Sequence, residues 1–157
     1  MAEILVRHAE PDEAEALTGL TRRSKAHWGY PREMLDRWAD VLSISPAAIR
    51  DGRVVVAERD GALLGYYQLT GRPPHGDLAD LFLEPEAIGT GLGRTLWEHA
   101  LDAARRAGFD TVTLESDPHA EGFYLRMGAE LVGEREVAPG RWLPVLRITV
   151  PQGDPTR

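Results

Sequence analysis

The sequence predicts an α/β fold: one mixed, mostly antiparallel sheet with helices on both of its faces. A two-residue turn, Asp60-Gly61, separates two β-rich runs, and this dipeptide is a strong hairpin signal because both turn positions need positive φ. A β-rich run, a helical pattern and a second β-rich run follow one another between residues 77 and 115. A crossover of that length joins parallel strands. Two more β-rich runs lie within 130–150.

Each element follows from a local signal. Proline at the start of a helical pattern, as at Pro11 with acidic residues after it, is typical of a helix N-terminus. Glycine after the last turn, as at Gly108, is typical of a helix end, and Gly29-Tyr30-Pro31 breaks the first helix. In chain order the predicted elements are a strand at 3–8, helices at 11–28 and 31–42, a helical turn after Ser45, strands at 53–59, 62–69 and 77–83, a helix at 91–107, a strand at 111–115, a helix at 118–127, and strands at 130–137 and 142–150.

The composition fits a single domain over residues 1–157, with its core at about 3–150. Hydrophobic residues make up 43% of the chain and charged residues 27%, which excludes wholesale disorder. The net charge of -7 disfavours a nucleic-acid partner, because such proteins need a basic footprint. The absence of cysteine excludes disulfides, Cys-ligated zinc and a thiol nucleophile. No apolar run suits a membrane span and no signal-peptide pattern opens the chain, so we expect a cytoplasmic protein.

The most informative stretch is the glycine-rich turn at 88–94, Ile-Gly-Thr-Gly-Leu-Gly-Arg, between a predicted strand and a predicted helix. Its three glycines let the backbone turn successive N–H groups toward one point, where the first-turn donors of the helix also aim. This arrangement is typical of a phosphate or pyrophosphate site. A Walker A loop would need lysine here, and a Rossmann fingerprint would need glycine or alanine at Arg94. The alternative is a helix N-terminus whose glycines serve only packing.

Two stretches resemble motifs of the GNAT superfamily of N-acetyltransferases. The turn resembles the acetyl-CoA signature of that superfamily, Gln/Arg-x-x-Gly-x-Gly/Ala, with Ile88 in place of the usual first residue. Residues 117–129 resemble the second GNAT motif, in which a helix carries a tyrosine, here Tyr124, and ends at a glycine, here Gly128. His119 stands where many relatives carry asparagine.

The resemblance covers about residues 3–150, and residues 24–30 and 140–144 are similar to a bacterial subgroup of the superfamily. It implies the GNAT fold and direct transfer of an acetyl group from acetyl-CoA to a primary amine in a ternary complex, without a metal. The backbone around Phe82 and Leu83 would pair with the pantetheine arm, and an N–H near Leu83 would face the thioester oxygen. The residues implied in coenzyme binding are Phe82, Leu83, Ile88, Gly89, Thr90, Gly91, Leu92, Gly93, Arg94, Thr95, His119, Phe123 and Tyr124.

The catalytic candidates are one phenol and three carboxylates. Tyr124 is the candidate general acid, because an ordinary phenol stays protonated at neutral pH and can donate to the departing thiolate; alternatively it is a core residue of a short helix. For the general base, Asp80 and Glu115 lie on strands predicted to flank the thioester, and Glu58 on the hairpin is a further candidate. The alternative for each carboxylate is a solvent-facing position. His119 could hydrogen-bond the pantetheine or cap its helix.

For the acceptor we expect an aromatic-lined mouth at His27, Trp28 and Tyr30, near Lys25, that receives a cationic amine by cation–π attraction. The alternative is that Trp28 is core and that Lys25, with the arginines before it, is a solvated face. This basic cluster could instead meet an acidic substrate group or the phosphates of CoA. The partner is a small-molecule or peptide amine, with neither nucleic acid nor membrane. The apolar run at 145–150 suits either a homodimer interface or the core.

A second hypothesis keeps the fold without the chemistry: a non-catalytic acyl-CoA-binding module that acts as a sensor or a partner-docking domain. A third hypothesis is a nucleotide-binding domain. Turnover with a panel of amines separates the first hypothesis from the second, and stabilisation by nucleotide but not by CoA would indicate the third.

Overall fold

The computed structural model describes residues 3–152 of the chain. Its strands are β1 (Leu5–His8), β2 (Arg53–Arg59), β3 (Ala62–Arg72), β4 (His75–Leu83), β5 (Thr111–Glu115), β6 (Glu130–Ala138) and β7 (Arg141–Thr149). Its α-helices are α1 (Ala14–His27), α2 (Arg32–Arg37), α3 (Ala39–Leu42), α4 (Pro46–Asp51), α5 (Leu92–Arg106) and α6 (Glu121–Arg126). The described strands form one seven-stranded sheet in the order β1-β2-β3-β4-β5-β7-β6. The predicted fold class, a mixed sheet with helices, is confirmed.

The hairpin between β2 and β3 turns where the sequence predicts it. Asp60 and Gly61 have φ values of 52° and 80°, the positive values that this tight turn requires. β1 adds to the other side of β2 in antiparallel register, from Leu5 opposite Glu58 to His8 opposite Val55. β2 and β3 are therefore joined by a tight turn, whereas β1 is connected to β2 through the helices α1–α4.

The crossover through α5 joins two parallel strands, as predicted. β4 and β5 are paired from His75 opposite Thr111 to Asp77 opposite Thr113. Gly108, with φ of 89°, follows the helix and turns the chain toward β5. β7 is antiparallel to both β5 and β6, so that β6 is the last strand of the order.

The chain divides into two compact units. The first comprises Met1–Gln68 and Asp80–Trp97, and the second Leu69–Ala79 and Glu98–Arg157. In the first unit, α1 turns an apolar face inward because its apolar residues recur at steps of three and four. This face packs with α4, β2 and β3 in one cluster, whose buried members are Ala14, Leu17, Leu20, Ile44, Ile49, Val54, Val56 and Tyr66.

The second unit is organised around Phe109, which is fully buried. A Cβ atom at Gly76 on β4 would lie 3.0 Å from the Phe109 ring, so the ring rests directly on the strand backbone. The other fully or nearly fully buried apolar residues of this unit are Leu69, Leu78, Ala100, Ala104, Val112, Leu114, Tyr124, Ala129, Leu146 and Val150.

Two predicted helices differ from the structure. The helix expected at 31–42 is two helices, because the backbone at Trp38 has left the helical region, with φ of -94° and ψ of 11°. The helix expected at 118–127 is shorter, since residues 117–120 form a turn before α6. In that turn the Ala120 N–H donates to the Asp117 carbonyl at 2.9 Å, and the Asp117 carboxylate accepts from the His119 N–H at 2.9 Å. Local side-chain hydrogen bonds of this kind compete with the first turn of a helix.

Candidate functional site

The glycine-rich turn has the backbone geometry that an anion site needs. After β4 a single 3-10 turn, Pro85–Ala87, leads into the turn at 88–94. Gly89 and Gly91 have φ values of 82° and 91°, which L side chains rarely adopt. A Cβ atom at either position would meet nothing within 4 Å, so glycine is required there by backbone conformation and not by crowding.

The turn leads directly into the N-terminus of α5. The first backbone donor that the helix engages is the Thr95 N–H, which donates to the Gly91 carbonyl at 3.2 Å. The N–H groups of a first helical turn lack partners within the helix, and the helix dipole adds partial positive charge there. Leu92 is 3% exposed, so its side chain belongs to the core and its backbone is what it can offer to a ligand. Arg94 and Thr95 are exposed, whereas Ile88 is half-buried.

The end of β4, at Phe82 and Leu83, is held closely against β3. The Glu84 N–H donates to the Leu64 carbonyl at 2.8 Å. A Cβ atom at Gly65 would lie 2.6 Å from Leu83 Cδ2 and 3.0 Å from the Phe82 carbonyl oxygen, so only glycine fits there without a shift. The residues implied in pantetheine binding are therefore fixed from the β3 side.

Asp80, one of the predicted bases, is half-buried two residues before Phe82. Burial raises the pKa of Asp80 to about 6, and the positive charge of Lys25 opposes that rise. A base whose pKa lies close to neutral pH is mostly ionised there and can still hold a proton transferred to it. Of the three carboxylates that the sequence offers, Asp80 has the environment of a general base.

Lys25 lies beside this carboxylate and is 7% exposed. Its Nζ atom lies 5.4 Å from the centroid of the Tyr30 ring and 5.8 Å from that of the Phe82 ring. The interpretation of Lys25 as part of a solvated face is wrong. The helical spacing in the sequence indicates that residue 25 is buried, because it follows the buried Leu17 and Thr21 at steps of four on α1.

Tyr66 on β3, which the sequence analysis did not single out as a site residue, completes the polar group around Asp80. The Thr21 hydroxyl donates to the Leu17 carbonyl at 2.9 Å, so at 2.6 Å it accepts from the Tyr66 hydroxyl. Burial, and secondly the charge of Asp80, raise the pKa of Tyr66. The phenol is therefore neutral, and the charged group that acts on Asp80 is the Lys25 ammonium.

The other two candidate bases are engaged in ion pairs. The Arg135 guanidinium donates to Glu115 at 2.9 Å, and the Glu115 side chain is 35% exposed. Glu58 accepts from Arg7 at 2.9 Å, and the same guanidinium also binds Glu13. Both carboxylates therefore already hold a guanidinium partner.

The second motif lies in the second unit. Tyr124 is 7% exposed, and its ring meets that of Phe123 edge to face with centroids 5.2 Å apart. The His119 ring and the Asp117 carboxylate are hydrogen-bonded at 2.7 Å. α6 begins after Ala120 without a side-chain cap, so His119 does not cap the helix.

The predicted acceptor residues lie at the surface end of α1. His27 is exposed, Trp28 is 38% exposed, and their rings meet edge to face at 4.8 Å. The alternative that Trp28 is a core residue is wrong. Tyr30 is half-buried over Lys25, and its ring packs edge-on against Trp38 at 5.3 Å. Tyr30 is thus one of the predicted acceptor residues whose ring lies beside the Lys25 ammonium.

No group of three or more His, Asp or Glu side chains within residues 3–152 could hold a metal ion. None of the helices within the same range is long and apolar enough to cross a membrane.

The chain matches known proteins in sequence. The model of the acetyltransferase (GNAT) family matches residues 4–129. The peptidyl-lysine N-acetyltransferase YjaB of Salmonella typhimurium is 33% identical over 155 residues, which cover 94% of this chain and 99% of that protein. The 5-NmdU N-acetyltransferase of Pseudomonas phage PaMx11 is 30% identical over 133 residues, which cover 83% of this chain and 90% of that protein.

A solved structure supports the fold. The crystal structure of the PaiA N-acetyltransferase from Thermoplasma acidophilum, in complex with coenzyme A, has a TM-score of 0.76 to this chain. The match covers 94% of this chain and 99% of that chain at 17% sequence identity, so the likeness concerns the fold.

Proposed function

This chain belongs to the GNAT family of acetyltransferases, and from that membership we propose that it transfers the acetyl group of acetyl-CoA directly to a peptide lysine. The named activity of the 33% identical relative supports lysine as the acceptor class. The name of the phage relative supports a second acceptor to be tested, 5-NmdU. The net charge of -7 favours a cationic acceptor over an acidic one.

The observation that carries this proposal is the geometry of the turn at 88–94. Two positive-φ glycines precede the N-terminus of α5, where backbone N–H groups and the helix dipole favour a phosphate. We assign the diphosphate of acetyl-CoA to this turn. With Ile88 at the first position of the signature, the contact is made by backbone groups and not by a polar side chain there.

We assign the role of general base to Asp80. The attacking nitrogen must lose a proton as its bond to the thioester carbon forms, and a half-buried carboxylate with a pKa of about 6 can accept it, directly or through one water. The backbone N–H near Leu83 would stabilise the oxyanion of the tetrahedral intermediate. Tyr124 would then protonate the departing CoA thiolate.

The composition supports direct transfer. The chain contains no cysteine, so no thioester with a protein thiol can carry the acetyl group between the two substrates. In direct transfer, amine and acetyl-CoA are bound together, and holding them in position supplies part of the rate acceleration. Initial-rate plots against both substrates are expected to intersect, whereas parallel lines would indicate a covalent intermediate and contradict the proposal.

The test combines binding and turnover. Titration calorimetry with CoA and acetyl-CoA measures the donor site, and release of CoA thiol measures transfer to a lysine peptide, to the same peptide with arginine in place of lysine, and to 5-NmdU. We expect binding of both coenzymes and many turnovers with the lysine peptide only. Multiple turnovers with 5-NmdU and not with the lysine peptide would show that 5-NmdU, and not a peptide lysine, is the acceptor. Binding without turnover would instead indicate the non-catalytic module.

The role of Asp80 has a matched control on the same strand. Asp80→Asn is expected to lower kcat for the lysine peptide by about 10²–10⁴-fold, the usual contribution of a general base, without weakening acetyl-CoA binding. Asp77→Asn, at an exposed position of β4, is expected to keep wild-type turnover. If Asp80→Asn turned over at the wild-type rate at every pH, Asp80 would not be the base.

A further inference from the structure

Lys25 is the one lysine of this chain, and the mechanism above does not use it. Lysine is among the residues least often buried, yet here it is 7% exposed. The surroundings that keep it inside are two aromatic rings, at 5.4 Å and 5.8 Å from Nζ, and the Asp80 carboxylate. A buried ammonium in such a place needs an explanation beyond packing.

These surroundings are the ones that an acceptor amine would need. Aromatic faces attract an ammonium ion, and a carboxylate of suitable pKa accepts its proton. Phe82 belongs to the segment of β4 to which the thioester is assigned, and its ring is one of the two that contact Nζ. If Asp80 is the base, the amine that faces this base in the structure is the side chain of Lys25 itself.

We propose that Lys25 is an acetylation site that the protein modifies itself, with acetyl-CoA as the donor. The inference rests on the proposed function, because it uses the same donor and the same base. It adds an intramolecular acceptor to the intermolecular one.

The reaction is balanced without a further reagent. Asp80 takes a proton from the Lys25 ammonium, and the neutral Nζ attacks the carbonyl carbon of the thioester. A C–N bond forms and the C–S bond breaks, and the second proton that the nitrogen loses passes to the CoA thiolate. The products are Nε-acetyl-Lys25 and free CoA, and the proton on Asp80 passes to water.

Acetylation would change the site that performs it. The amide is uncharged, so the group that opposes the rise in the pKa of Asp80 is lost, and a larger fraction of Asp80 is protonated at neutral pH. The modified protein is then a slower catalyst toward external amines. Self-acetylation therefore lowers the activity toward external amines when the ratio of acetyl-CoA to acceptor is high.

The experiment follows the intact mass of the purified wild-type protein with acetyl-CoA and without an external acceptor. We expect one added acetyl group, located at Lys25 by peptide fragmentation. Its rate constant is expected to be independent of protein concentration, because the transfer is intramolecular. Lys25→Arg, which keeps the positive charge, should gain nothing at this position, and Asp80→Asn should be modified about 10²-fold more slowly.

Two results would overturn the inference and leave the proposed function standing. One is a wild-type protein that acetylates the lysine peptide while its own Lys25 stays unmodified. The other is modification of Lys25 no faster in the folded protein than in the urea-unfolded protein, which is chemical acetylation of an accessible amine. If neither coenzyme binds and neither acceptor reacts, the proposed function fails and this inference fails with it.

Discussion

Burial raises the pKa of Asp80 and the charge of Lys25 opposes that rise, and this effect of Lys25 can be measured separately from acetylation. The groups that face Asp80 are the Lys25 ammonium from α1 and the neutral Tyr66 phenol from β3. Lys25→Met keeps an unbranched apolar side chain and removes its ammonium group, so the pKa of Asp80 rises above about 6. A base works only when deprotonated, so the acid limb of the pH dependence of kcat/KM moves to higher pH.

This prediction is checked by pH–rate profiles of three proteins with the lysine peptide as acceptor. Lys25→Arg retains the charge and is expected to keep an acid limb close to that of the wild type, whereas Lys25→Met is expected to lose activity first at low pH. A uniform loss of activity at all pH values in Lys25→Met would indicate a structural role only.

Tyr124 is the second residue whose role can be tested, in this case by removing the hydroxyl group. Tyr124→Phe removes the hydroxyl and keeps the buried ring, which is 7% exposed in the wild type. We expect kcat to fall by about 10²-fold, because the CoA thiolate loses its proton donor, while the Kd of acetyl-CoA changes little. Calorimetry and steady-state kinetics on the same preparation separate these two quantities. Wild-type turnover in Tyr124→Phe would remove this residue from the mechanism.

The sequence predicts the role of a single residue best where that residue type has one chemical use. Asp80 was among the predicted bases, but the sequence could not rank it above Glu115, because the ranking depends on burial and on the Arg135 guanidinium. For the same reason Tyr66 was missed as a site residue, and Lys25 was predicted near the acceptor mouth but not beside Asp80. Their roles arise from what β3 and α1 bring beside β4, and a sequence pattern does not specify such contacts between elements.

At the scale of elements, the turn at 88–94 depends on backbone conformation. An alanine at the φ of 91° that Gly91 adopts is strained by about 1–2 kcal/mol. Gly91→Ala is therefore expected to pull the loop toward a negative φ, rotate its N–H groups away from the diphosphate and raise the KM for acetyl-CoA by about tenfold or more, with a smaller effect on kcat.

Gly133→Ala is the control for this prediction, because position 133 lies on β6 with nothing within 4 Å of a Cβ atom and without a positive φ. It should leave the KM for acetyl-CoA unchanged. Titration calorimetry with CoA, which does not depend on turnover, provides the second measurement. Equal CoA affinity in Gly91→Ala and wild type would show that the turn does not bind the coenzyme through the conformation described.

Elements with strong local signals were predicted almost to the residue. The Asp60-Gly61 hairpin, the helix before Gly108 and the strand at 111–115 all agree with the structure, because each boundary is set by turn residues in the sequence itself. The two errors, at Trp38 and at residues 117–120, lie where the competing signals are weak. In the second case a hydrogen bond that the Asp117 carboxylate accepts from the His119 N–H takes the place of the first helical turn.

At the scale of the whole molecule, the predicted fold class and the membership in an acetyltransferase family are both confirmed. The prediction of acetyl-CoA as co-substrate is confirmed at the level of the family. The order of strands and helices predicted the fold class, because a parallel crossover next to a hairpin leaves few sheet topologies. The motifs at 88–94 and 117–129 predicted the family and its co-substrate. The single-domain organisation and the homodimer stay predictions.

At the N-terminal end of the chain, an ion-pair network contributes to the free energy of unfolding. The Arg7 guanidinium donates to both oxygens of the Glu13 side chain, which joins β1 to the start of α1, and it donates to Glu58 on β2 at 2.9 Å. The Arg7 and Glu13 side chains are 28% and 19% exposed, so water screens the pair only in part. The hydrogen bond from Arg7 lowers the pKa of Glu13.

A carboxylate whose pKa is lowered by folding stabilises the folded state above its unfolded pKa, and this contribution is lost as the pH falls through the folded value. Glu13→Gln is therefore expected to lower the free energy of unfolding by about 1–2 kcal/mol at neutral pH. The difference from wild type should shrink below about pH 4, where Glu13 becomes protonated in the wild type as well. Glu15→Gln, at an exposed position two residues further along the chain in α1, should have little effect at either pH. Urea denaturation at several pH values measures both variants, and a Glu13→Gln deficit that stayed constant into the acid range would mean that the side chain acts by packing and not by charge.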